Sequence, residues 1–68
     1  MIIEIGIVAG EIWQLLDQKG RQEFTEVTNS IPAGKDLALM ALGWLCREGH
    51  VVLKKIGGCS YVQLRDRL

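Results

Sequence analysis

Cys46, His50 and Cys59 are the side chains best suited to chemistry in this sequence, and that chemistry would be metal binding. Thiolates and an imidazole are zinc ligands, and a structural zinc site closes with four of them in a tetrahedron. Cys46 and His50 stand four residues apart, and Cys59 would return across a following hairpin. A fourth ligand is not evident, and Gly49 breaks the helical spacing that the pair would need. The cysteines form no C-x-x-C pair, so no metal is expected, and Cys46 is read as a small apolar residue at the core edge. Nucleophilic chemistry fares no better. Ser30 and Ser60 fall in turn or strand-edge settings, and one histidine without a positioned partner makes no triad. Gly57-Gly58 is followed by no helix and lysine at phosphate-loop spacing, so no nucleotide cofactor is implied. The expectation is a protein that is not an enzyme and holds no cofactor.

Elements that would position any site follow from periodicity. Ile5, Val8, Ala9, Ile12, Leu15 and Leu16 recur at three- and four-residue spacings, which predicts a helix from about Ile5 to Gln18 ended by Gly20. Gly10 in its middle costs about 1 kcal/mol against alanine unless something packs closely there. Gln22-Glu23-Phe24 reads as a short extended piece with Phe24 turned to the core. Thr25 is placed to cap a short second helix, Glu26 to about Ser30, held by packing of Val27 and Ile31 and broken by Pro32-Ala33-Gly34. A third helix runs from about Lys35 to Glu48 on a stripe of Ala38, Leu42 and Leu45, with Ala41 and Cys46 at its edges. Two strands, Val51 to Ile56 and Cys59 to Leu64, flank Gly57-Gly58, a pair suited to a tight hairpin turn. A two-residue turn sets Leu53 against Val62 and Val51 against Leu64. All four should face inward, with Lys54, Tyr61 and Gln63 outside. The order is helix, short strand, helix-turn-helix and hairpin, an α+β fold that is mainly α.

Sixty-eight residues make a single domain, 1–68. A chain this short buries roughly 60% of its unfolded surface, and small domains commonly add a disulfide, a metal or a partner subunit. Lysine and arginine total 8, as do aspartate and glutamate, so the formal net charge is zero. Its distribution is uneven. Residues 1–34 set Lys19 and Arg21 against Glu4, Glu11, Asp17, Glu23 and Glu26, a balance of −3. Residues 35–68 set Lys35, Arg47, Lys54, Lys55, Arg65 and Arg67 against Asp36, Glu48 and Asp66, a balance of +3. Such a molecule can steer an anion to one half, yet it lacks the basic excess of an independent nucleic-acid binder. The apolar opening Met1 to Ile5 is too short and too charged for a signal core or a membrane span, and two unpaired cysteines fit a cytoplasmic protein.

Ile5-Gly6, Ala9-Gly10 and Ile12-Trp13 in the first helix, with Ala41-Leu42-Gly43-Trp44-Leu45-Cys46-Arg47-Glu48 in the third, resemble a group of small bacterial and archaeal winged helix-turn-helix proteins of unknown function. The resemblance spans nearly the whole chain. It implies three helices, a C-terminal β-hairpin wing and a short extra strand. It carries a label of DNA binding but implies no established ligand, since winged helices also serve protein contacts. Gly34 and Leu37 depart from it, standing where a Ser-like cap and an acidic residue are usual.

Two functions compete on the third helix. With Ala38, Leu42 and Leu45 inward, the outer face carries Asp36, Leu37, Leu39, Met40, Gly43, Trp44 and Arg47. Base reading needs polar donors there, and only Arg47 qualifies. Nucleic-acid binding would therefore rest on phosphate contacts from Lys35, Arg47, Lys54 and Lys55, with Arg65 and Arg67 in the tail. Leu37, Leu39, Met40 and Trp44 instead make an exposed apolar patch of the kind that marks a protein interface, with Ile2, Ile3 and Ile7 adding apolar surface. The expectation is a homodimer or a docking module for another protein, with DNA as the alternative. A further alternative is that Trp44 folds back against Trp13.

Overall fold

The computed structural model describes residues 2–67, and the side chains of residues 3–66. Ile2 and Arg67, named above, have side chains outside that range. Helix α1 spans Ile2–Lys19, α2 spans Phe24–Ser30 and α3 spans Lys35–Arg47. Strands β1, β2 and β3 are Gln22–Glu23, Val51–Ile56 and Cys59–Leu64, and a 3-10 turn, Arg65–Arg67, follows them. The sheet is antiparallel in the order β1-β3-β2. This is the expected winged-helix arrangement.

Periodicity accounts for the helical part of the core. Val8, Ala9, Ile12 and Leu16 of α1 are buried against Ala38, Ala41, Leu42 and Leu45 of α3, with Val27 and Ile31 closing one end. Alanines at Ala9, Ala38 and Ala41 let the helix backbones approach. Leucine and isoleucine fill the remaining depth, each fully buried one stabilising by roughly 1.5–3 kcal/mol. Phe24 packs on this cluster half-buried.

The start of α2 differs from the expectation. The helix begins at Phe24, Glu23 occupies the cap position, and no side chain bonds to the free amides. Thr25 is already inside the first turn and its hydroxyl donates to Glu23 Oε1 at 2.7 Å. Phe24 is drawn into the helix by its contact with the core, a tertiary pull that outweighs the local preference of threonine for a cap. Similarly α1 starts three residues early, at Ile2, because helical geometry does not stop where the buried stripe stops.

α3 ends in a Schellman motif. Gly49, at φ 78°, donates to the Cys46 carbonyl at 3.1 Å, and His50 donates to the Leu45 carbonyl at 2.9 Å. The left-handed residue reverses the chain into β2 and satisfies two terminal carbonyls. At the far end of the hairpin Gly57 and Gly58, with φ of 58° and 87°, form a turn with positive φ at both positions. The register is the expected one, Leu53 opposite Val62 and Val51 opposite Leu64.

The hairpin faces need correction. Val51, Val62 and Leu64 are buried, but Leu53 is 53% exposed, whereas Gln63 is buried and Tyr61 half-buried. The reason is the short β1, which pairs with β3 and makes it the central strand. The α1–β1 connection thereby covers the side of β3 that alternation assigns to solvent. Arg21 lies over the Tyr61 ring at 5.0 Å, and Gln63 lies beside Gly20, Arg21 and Asp17. Leu53, on the edge strand β2 and past the reach of the helices, stays in water.

Candidate protein-contact surface

α3 offers its four expected interface residues unequally. Met40 and Trp44 are four residues apart on one flank, and they are 41% and 46% exposed. Leu37 shares that flank but leans inward and packs against the core, half-buried. Leu39 is exposed, yet at about 100° per residue it lies a quarter-turn and more around the helix from Met40, on the side of Lys35 and Cys46. Asp36, Gly43 and Arg47 form the ridge between the two flanks. The fold thus joins Met40 to Trp44 and separates both from Leu39.

Trp44 borders a second helix. An open groove of about 270 Å³ runs between α1 and α3, with Gly6, Gly10 and Trp13 on one wall and Trp44 and His50 on the other. Trp44 and His50 have ring centroids 6.3 Å apart, tilted by 36°. Trp13 is itself 38% exposed, so the two tryptophans share a groove without burying one another. Beyond Trp13 and His50 the surface turns polar, with Arg65 and Asp66 in an adjoining cleft of about 390 Å³.

The apolar surface continues along α1 past the groove. Ile3 and Ile7 are 78% and 61% exposed, and they share the outward arc of the helix with Gly6, Gly10 and Trp13. A Cβ built on Gly6 or Gly10 would meet nothing within 4 Å. Each glycine therefore costs about 1 kcal/mol of helix stability with no packing return inside the subunit. The sequence marks Gly10 as a cost needing a close neighbour; only the structure shows that the subunit does not supply one.

The basic candidates are dispersed. Lys35, Arg47, Lys54 and Lys55 are all exposed, at the two ends of α3 and near the tip of the hairpin. Asp36 sits on the same outer ridge as Arg47. Cys59 lies beside the hairpin turn, opposite Ile56, and is exposed, whereas Cys46 is half-buried on α3. Among the described residues no group of three His, Cys, Asp or Glu side chains is arranged to hold a metal ion. Burial pushes the Cys46 thiol above its ordinary pKa, the opposite of an activated thiolate. Among the described residues no helix is long and apolar enough to cross a membrane.

The sequence matches a family model described as a winged helix-turn-helix domain (DUF2582) over residues 1–64, in keeping with the three helices and hairpin wing. The chain belongs to that family. The resemblance seen in the α1 and α3 motifs therefore holds. The fold also matches the solution NMR structure of protein BT2368 from Bacteroides thetaiotaomicron, with a TM-score of 0.80 and 23% identity. That match covers 94% of this chain and 78% of the other. No curated protein matches the sequence.

Proposed function

We propose that this domain is a non-catalytic protein-contact module that forms a homodimer, with the Met40–Trp44 flank of α3 in the interface. The observation that supports it is the pairing of Met40 and Trp44, both exposed, with an apolar groove beside them. Large apolar side chains grouped on a surface mark interaction sites, and a tryptophan beside a methionine has the composition of an interface centre. Leu37 backs the flank from the core side, and Leu39 lies on the other flank, beyond the ridge of Asp36, Gly43 and Arg47. Association also adds stability to a core limited by chain length. The free thiols of Cys46 and Cys59 fit a reducing cytoplasm.

The test is a dilution series by sedimentation velocity on the wild type and on Met40→Glu/Trp44→Glu. A wild-type dimer and a folded monomeric variant support the reading. A variant that unfolds places these residues in the core and sinks it, as does a monomeric wild type.

DNA binding is the second reading, favoured by the helix-turn-helix family and by exposed Lys35, Arg47, Lys54 and Lys55. Phosphate contacts from these would weaken by orders of magnitude between about 50 and 200 mM salt. Amide shifts at the four residues on adding duplex DNA, lost at the higher salt and in Lys54→Glu/Lys55→Glu, would establish it. An unmoved spectrum removes it.

A further inference from the structure

We propose that the second copy seats on the outer face of α1, antiparallel to it, so that Ile7 of each subunit fills the notch over Gly10 of the partner subunit. The proposal rests on the homodimer reading above and shifts the centre of the interface from α3 to α1, with Met40 and Trp44 at its flank.

A two-fold interface requires one patch to carry both the projection and the recess that accepts it. The α1 face does. Ile3 and Ile7 project into solvent, and Gly6 and Gly10 leave open space beside them on the same arc. Ile7 and Gly10 are three residues apart, about 4.5 Å along the helix. A two-fold axis passing between the two copies of α1, level with the midpoint of positions 7 and 10, sets Ile7 against Gly10 in both directions at once. The same operation brings Ile3 level with Gln14, and Glu4 level with Trp13, of the partner subunit. Missing side chains let helix backbones approach closely, and an antiparallel pair opposes the two helix dipoles favourably.

Exposed area points to a second copy as occupant. Glu4 and Glu11 lie about 60° and 40° around α1 from Ile7, so their carboxylates stand at the rim of this contact, where solvent screens them. Taking a large side chain as roughly 200 Å², Ile3, Ile7, Trp13, Met40 and Trp44 expose about 500 Å² together. Glycine backbone, Gln14 and His50 at the rim bring the face towards the ~800 Å² per partner of a stable interface. A formally neutral chain offers no net repulsion to its own copy.

Gly10→Leu tests the notch because its effects on the monomer and on the dimer have opposite signs. In the monomer the new Cβ meets nothing within 4 Å and the leucine replaces a poor helix former, so Tm at high dilution should rise by a few degrees. In the dimer it occupies the volume assigned to Ile7, and the dimer Kd should weaken at least tenfold. A second measurement needs no variant: isotope-filtered NOEs in a mixed-label wild-type dimer should connect Ile7 methyls to the Gly10 α-protons of the partner subunit. If Met40→Glu/Trp44→Glu dissociates the dimer while Gly10→Leu leaves its Kd unchanged and no such NOE is seen, the interface is on α3 alone. This proposal then fails and the broader reading stands. A monomeric wild type overturns both.

Discussion

The α1–α3 face and the tip of the wing both expose large apolar side chains, but in different company. On the wing, Leu53 and Ile56 are 53% and 47% exposed and flank Lys54 and Lys55 on an edge strand. Lysines on an edge strand discourage another strand from adding to it. On the α1–α3 face, Trp13 and Trp44 border Gly6, Gly10 and a groove, and Ile3, Ile7 and Met40 are exposed on the outer sides of the same two helices. Exposure of an apolar residue is therefore uninformative by itself. What separates an interface from an ordinary surface is whether the neighbours are charged projections or uncharged recesses.

The largest contrast lies within α1 itself. Ile12→Ala, at a fully buried position, should cost 2–5 kcal/mol and leave a domain of this size largely unfolded. Ile7→Ala, five residues away on the outer face, should leave monomer stability within about 0.5 kcal/mol while weakening self-association. Urea unfolding at low concentration and sedimentation at high concentration separate the two quantities. An Ile7→Ala variant as unstable as Ile12→Ala would mean that the outer face is not free.

A smaller contrast is available across one rung of the hairpin. Val62 and Leu53 are register partners, yet Val62→Ala should cost about 2 kcal/mol and Leu53→Ala about half of that or less. Equal losses in denaturant midpoint would show that the wing folds back over its own edge. The mildest probe is thiol reactivity. Burial holds the Cys46 thiol protonated to higher pH than usual, so at any pH below that raised value less of it is thiolate. Exposed Cys59 should be alkylated several-fold faster near pH 8, as read by mass spectrometry of the modified peptides. Faster reaction at Cys46 would mean that α3 opens on that side.

Much of this molecule could be read from its residues in order. The inward stripes of α1 and α3, the breaks at Gly20, Pro32 and Gly49 and the register around Gly57-Gly58 are local properties, set by side-chain periodicity and turn chemistry within a few residues. Such rules act before any distant contact forms, which is why element order and the hairpin register came out as expected. The outer residues of α3 were legible in the same way, although Leu37 leans further in and Leu39 sits further round than a single patch requires.

Other features depended on which elements meet in space. Pairing of β1 with β3 buries Gln63 and half-buries Tyr61, and that pairing joins residues 22–23 to residues 61–62, too far apart for periodicity to register. Leu53 follows every local rule for an inward residue and is exposed because no helix reaches it. The groove that sets Trp44 beside Gly6 and Gly10 exists only because α1 and α3 pack closely through alanines. Sequence determined what each element is, since helix and strand are short-range choices. Tertiary structure decided which outward faces are covered and which are left as one continuous surface, because coverage depends on neighbours that local sequence does not name.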